Sequence, residues 1–238
     1  MPEARMMMSS FANMEGIHQH AYSLLLDTVG MPETEYKAFA DYEAMADKHE
    51  YINNIKVTAS NKESIAKALA VYSGFTEGLQ LFSSFVILLN FPRFGKMKGM
   101  GQIITYSIRD ESLHVEAMTK LFREFIQENI ELWTDDFKKE IYQACRDMVA
   151  LEDRFLDLVF DQGDIEGLTK KEMRQYIRYI ADRRLLQLGL KTNYDVNENP
   201  LPWLDSVMGV EHQNFFEGRA TAYMKAGLRG NVEGIQFT

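Results

Sequence analysis

Ile103-Ile104-Thr105-Tyr106-Ser107-Ile108-Arg109-Asp110-Glu111-Ser112-Leu113-His114-Val115 alternates apolar and charged residues at helical spacing, and neither Pro nor Gly interrupts it after Gly101. On a helix, the three-residue offset between Glu111 and His114 stacks a carboxylate and an imidazole on one face. Such a pair arises by chance in many soluble helices, so its weight depends on what accompanies it. Glu15-Gly16-Ile17-His18 repeats the spacing upstream, within the helical pattern Phe11, Met14, Ile17, His18, Ala21, Leu25. Two Glu-x-x-His motifs on two helices are half the signature of a carboxylate-bridged two-metal site in a four-helix bundle.

Such a bundle also requires a carboxylate from each of two further helices. Glu77 is the formal charge within Val71 to Leu89, the most apolar segment of the chain. A carboxylate there costs several kcal/mol unless it is paired or bound to a metal. Glu15, His18, Glu77, Glu111 and His114 are therefore the candidate metal ligands.

Composition supports an all-α chain. The 238 residues fit one large domain or two small ones, and one helical domain is the simpler reading. An apolar content of 46% fills a core, while Gly 15 and Pro 5 are too few for a β-rich chain of many turns. The net charge of −9 argues against a nucleic-acid binder, which needs a basic stripe to neutralise phosphates. The lone cysteine, Cys145, excludes an internal disulfide framework and suits a reducing compartment. No signal-peptide pattern opens the chain, and the apolar stretch Leu81 to Phe91 is too short to span a bilayer. These features point to a cytoplasmic protein without a membrane.

Periodicity predicts a helix from Met1 to Val29, closed by Gly30 and Pro32, and a second helical region from Thr34 to Asn53. Ser60 to Asn90 reads as one very long helix distorted at Gly74 or Gly78. Helices over Gly101 to Asn129, Trp133 to Phe160 and Thr169 to Leu188 follow, the last opening on a Thr169/Glu172 capping box. From 191 to 238 the pattern is a loop, a short helix over Phe215 to Leu228, and the start of a tail.

Bridging carboxylates with one nitrogen per metal suit a pair of ions such as Fe or Mn, since structural zinc would recruit thiolates. Tyr22 lies one turn after His18, where an oxygen-activating metal pair could oxidise a shielded phenol. Leu25, Phe82, Phe85 and Ile108 are the candidate shield. Tyr22 is one of 11 tyrosines, and a hydrogen-bonded core tyrosine is the blander reading. Asp110 either orients a ligand imidazole from a neighbouring helix or pairs with Arg109. His49 and Glu116 read as solvated, His20 as facing elsewhere, and Cys145 as a buried small hydrophobe. Glu152 and Asp153 read as ordinary charge decoration, and Arg183 and Arg184 as structural ion-pair partners.

These residues together resemble a known family, the small radical-generating subunit of class I ribonucleotide reductase. The likeness rests on Phe11 to Ser23, Glu77-Gly78-Leu79, Ile108 to His114, Gln175 to Arg184 and Asn214 to Thr221. It implies a ferritin-like helical bundle, a homodimer and two Fe ions per chain, with Mn/Fe or Mn/Mn as variants. Glu15, His18, Glu77, Glu111 and His114 would be metal ligands, and Tyr22 the radical tyrosine. Asp110 would be the aspartate of the electron route, and the radical would pass to a separate large subunit that reduces ribonucleotides.

The family pattern has a sixth ligand, an Asp or Glu on a helix ahead of the first Glu-x-x-His. Glu3 is 12 residues before Glu15, roughly 18 Å along a helix, and cannot serve. The resemblance thus leads us to expect a chain lacking the N-terminal portion, with the missing helix supplied by another chain and apolar residues such as Met6, Met7 and Phe11 left uncovered. A shortened C-terminal docking tail is expected on the same ground. The rival readings are a different di-iron oxidase, or a metal-deficient, non-catalytic or iron-binding partner on the same bundle.

Overall fold

In the computed structural model, residues 2–37 and 41–205 are described, and they form helices and loops without a strand. The first helix, α1, runs Pro2–Val29. It ends at Gly30, whose φ of +74° places the amide of Met31 against Leu26 O at 3.2 Å, a six-to-one closure that glycine makes without a Cβ clash. The expected helix over 34–53 is instead a 3-10 turn, Glu33–Lys37, and a helix α2, Glu43–Asn53. Tyr42 is extended at φ −97°, ψ 115°, which breaks any continuous helix there. The predicted helix over Phe215–Leu228 lies outside the described residues.

The long apolar segment begins at α3, Lys62–Val71, whose Asn61 cap accepts from Ser64 N. It then widens into a π-helical stretch, Tyr72–Gln80, and resumes as α4, Phe82–Arg93. The distortion encloses both suspected glycines. Helix α5 is Lys98–Glu128, α6 is Asp135–Val159 capped by Thr134, and α7 is Lys170–Gln187 with the expected capping box.

The apolar faces of α3, the π stretch, α4, α5, α6 and α7 meet in one core, with Phe75, Leu79, Ile104, Phe122, Phe137, Met148, Met173 and Ile177 fully buried. Cys145 lies within it, and burial pushes its thiol up to about 12, as befits an inert core residue. After α7, Asp182 pins the following loop by accepting from the amides of Asn193, Tyr194 and Val196 at 2.7–3.0 Å.

Helix α1 packs chiefly along α5. Its one buried residue is His18, while Met6, Ile17 and Leu24 are 72, 60 and 52% exposed. Met7 and Phe11 are half-buried, so the expected apolar exposure falls on Met6 but only partly on its two neighbours. No helix among the described residues is long and apolar enough to cross a membrane.

Glu152 corrects the reading of charge decoration. It is fully buried, and its carboxylate pairs with Lys48 Nζ at 2.5 Å and accepts from Ser83 Oγ. The face that α6 turns inward at this turn therefore meets a cation from α2 rather than solvent. Lys48 also lies 4.4 Å over the Phe155 ring. Removing one partner of a buried pair strands the other charge, at a cost of about 3–5 kcal/mol. Lys48→Met should lower stability by about that much in urea unfolding, and Lys48→Met with Glu152→Leu should recover most of it.

Candidate metal centre

Helices α1 and α5 cross so that their two Glu-x-x-His turns face one another, and the π stretch brings Glu77 to the same place. Glu111 sits between the two imidazoles, with Oε1 3.5 Å from His18 Nδ1 and Oε2 3.6 Å from His114 Nδ1. Glu15 Oε1 lies 3.7 Å from His18 Nδ1 and 3.4 Å from His114 Nδ1. Glu77 Oε2 is 3.8 Å from His114 Nδ1. One donor atom each from Glu15, Glu111 and His114 fall within 4.8 Å of one another. All five predicted ligand residues thus converge.

These separations exceed hydrogen-bond distance, yet Glu111 and His114 are buried and Glu77 is partly so, while Glu15 reaches them from the exposed side. Glu77 Oε2, Glu111 Oε2 and His114 Nδ1 are buried without a hydrogen-bond partner. An orphaned buried polar atom costs about 1–3 kcal/mol, more when charged. Three on facing side chains fit a cation seated among them, and the oxygen-and-imidazole donor set suits iron or manganese. Glu3 stays on the first turn of a continuous α1, far from this cluster.

The neighbours orient the imidazoles. Asp110 Oδ2 lies 3.2 Å from His18 Nε2, and since a carboxylate only accepts, the ring proton sits on Nε2 and leaves the Nδ1 lone pair facing the carboxylates. Asp110 also pairs with Arg109 at 3.4 Å, so it contacts an imidazole of the neighbouring helix and Arg109 together. His114 Nε2 is 3.3 Å from Met14 Sδ, and the Phe11 ring covers that imidazole at 4.1 Å between centroids. Tyr22, half-buried, donates its phenolic proton to Ser107 Oγ at 2.8 Å. Phe82, Phe85 and Ile108 are buried, and Tyr22 and Leu25 pack against the core they belong to.

Two cations fix the π stretch that carries Glu77. Arg184 Nε donates to Gly78 O at 2.8 Å, and Lys48 Nζ to Gln80 O at 3.2 Å. A Cβ on Gly78 would stand 2.7 Å from Arg184 Nε, so the glycine admits the guanidinium. This corrects the ion-pair reading of Arg183 and Arg184. Among the described residues neither has a carboxylate within ion-pair distance, and Arg183 bonds Tyr179 Oη while Arg184 stays buried beneath α4 over the Phe82 ring. The sequence reading gave Lys48, Ser107, Met14 and Phe11 no role at the site, and Arg184 only that of an ion-pair partner.

Crowding raises proton affinities. Burial, and then the Glu111 charge, push Glu77 up to about 7. The same two causes raise Glu15, against the pull of His18 and His114. Burial opposes a proton on His114, but Glu111, Glu77 and Glu15 together outweigh it and raise its pKa. In the metal-free fold Glu77 holds its proton more tightly than in the unfolded chain. That contribution is complete below the unfolded value of 4.5 and is lost as pH rises toward 7. A metal ion must displace that proton. Mn(II) affinity should therefore fall about tenfold per pH unit below 7 from Glu77 alone, and level off above 8, in titrations from pH 6 to 8.5.

A helical bundle holding two Glu-x-x-His turns and a third, half-buried carboxylate defines the ferritin-like carboxylate–histidine class of proteins. Comparison with known proteins narrows this. The family described as "Ribonucleotide reductase, small chain" matches residues 1–200. A probable ribonucleoside-diphosphate reductase small subunit of Invertebrate iridescent virus 6 is 42% identical over 267 aligned positions, covering 97% of this chain and 74% of that one. The ribonucleoside-diphosphate reductase subunit beta of Chlamydia pneumoniae is 32% identical over 95% of this chain and 68% of its own length. A crystal structure of a putative class I ribonucleotide reductase from Bacillus halodurans superposes with a TM-score of 0.79 at 26% identity, covering 84% of this chain and 74% of that one. The chain belongs to the ribonucleotide reductase small-chain family, and so to the oxidoreductases.

Proposed function

We propose that this chain binds a pair of Fe or Mn ions through Glu15, His18, Glu77, Glu111 and His114, and holds a radical on Tyr22 for a large subunit that reduces ribonucleoside diphosphates. The observation that carries this reading is Glu111, whose two oxygens face two different imidazoles. A carboxylate so placed would offer one oxygen to an ion at each imidazole. The ion pair, when bound, supplies the oxidising power drawn from oxygen.

The chain's own groups do the rest. Asp110 keeps the His18 proton on Nε2, so Nδ1 stays available as a ligand. Phe11 and Met14 close the side of His114 away from the carboxylates and keep water from that ring. The Arg184 and Lys48 contacts hold the widened turn from which Glu77 reaches the cluster. The buried core to which Phe82, Phe85 and Ile108 belong, and against which Tyr22 packs, would shield that side of the phenol from reductants in solution.

We further infer one helical domain across residues 1–238, a homodimer, and action in the cytoplasm, which the single buried cysteine suits. The ligand positions that these five side chains leave open fall to water or to a further carboxylate. The test is to combine the iron-loaded, air-exposed chain with a class I large subunit and follow reduction of a ribonucleoside diphosphate. Turnover should need both proteins. A loaded chain that binds the large subunit but supports no turnover would overturn the proposal in favour of a non-catalytic partner.

A further inference from the structure

Ser107 stands on α5 one turn before Glu111 and is 2% exposed, among the buried apolar residues Ile104 and Ile108. It accepts the phenolic proton of Tyr22 at 2.8 Å, across two helices 85 residues apart in sequence. Its own proton goes to Ile103 O at 3.2 Å, one turn back. A mid-helix serine commonly back-bonds in that way, so the second bond alone means little. The first is different, because it places a two-way hydrogen-bonding group on the oxygen of a half-buried phenol. Burial raises the proton affinity of Tyr22, and the Ser107 bond pulls it back.

We propose that Ser107 is a positioning residue for Tyr22: its hydroxyl accepts from the reduced phenol and turns to donate to the phenoxyl oxygen once Tyr22 is oxidised. This rests on the radical role proposed above for Tyr22. Oxidation removes one electron, for which the ion pair of the proposed function, charged by oxygen, would be the acceptor. It also removes the phenolic proton, which would have to leave for a carboxylate of the neighbouring cluster. The O–H bond of Tyr22 breaks, and Ser107 neither gains nor loses a proton. Its hydroxyl only rotates from Ile103 O toward the phenoxyl oxygen, a rotation about Cβ–Oγ that leaves the helix in place.

The bond is first tested without metal, on the full chain carrying tyrosine labelled with carbon-13 at Cζ and assigned with Tyr22→Phe. Ser107→Ala should move the Tyr22 Cζ resonance and speed exchange of its hydroxyl proton, while Ser107→Thr keeps both near the parent values. If the alanine variant fails to fold, Ser107→Cys, near in volume and a weak acceptor, gives the same reading. After loading with Fe(II) and exposure to air, electron–nuclear double resonance in H₂O and D₂O should show an exchangeable proton coupled to the parent radical. That coupling should be lost in Ser107→Ala.

An unmoved Cζ resonance overturns the proposal, as does a proton coupling that survives in Ser107→Ala. A resonance that moves in a chain forming no radical at all leaves the hydrogen bond standing. It overturns the radical role of Tyr22 and, with it, the turning of Ser107.

Discussion

Glu111→Ala should weaken Mn(II) or Fe(II) binding by at least about 100-fold and remove the second ion altogether. Loss of an outer-shell partner typically costs 10–100-fold in metal affinity. Glu111 would itself be a ligand, and through two oxygens it would serve both ions. Removing it leaves His18 and His114 without the carboxylate they share and takes one negative charge from a cluster whose attraction for cations is mainly electrostatic. The metal-free fold should tolerate the change or gain from it. Glu111 crowds Glu15 and Glu77 and raises the proton affinity of both, and its Oε2 is one of the orphaned buried atoms. Calorimetric metal titration beside thermal unfolding checks both halves. Weakened binding with unchanged or raised metal-free stability is the expected pair, whereas lost stability with unchanged affinity would make Glu111 a structural residue.

Tyr22→Phe should keep both ions and lose the whole tyrosine radical signal. The substitution removes one oxygen, and the hydroxyl it orphans, on Ser107, retains its bond to Ile103 O. No candidate ligand atom changes. Stability should therefore shift by no more than about 1 kcal/mol, the usual net worth of one hydrogen bond. Metal analysis and low-temperature electron paramagnetic resonance of the two proteins, side by side, separate the outcomes. A signal of parent size in Tyr22→Phe would assign the radical to another tyrosine.

The five clustered residues, Glu15, His18, Glu77, Glu111 and His114, were legible in the sequence because each carried a local anomaly. Glu15 with His18, and Glu111 with His114, share helical spacing, and Glu77 breaks an otherwise uncharged run. The two glycines marked the π stretch for the same reason. Glu152 misled because Asp153 and Arg154 beside it look like surface residues, and nothing local says that α6 turns this one residue toward Lys48. Arg184 misled likewise, since its acceptor is a backbone carbonyl, Gly78 O, 106 residues away. Ser107 is an ordinary serine until α1 brings Tyr22 to it. Sequence periodicity reports which face a residue occupies, not what arrives there from another helix.

The most direct measurement is the number of ions per chain after anaerobic loading with Fe(II), followed by the paramagnetic resonance spectrum after exposure to air. Two ions per chain, with a tyrosine radical absent from Tyr22→Phe, is the expected result. One ion or none, with no radical in the parent protein, would contradict a bridged metal pair at Glu111 and leave this chain with its family's fold but without that chemistry.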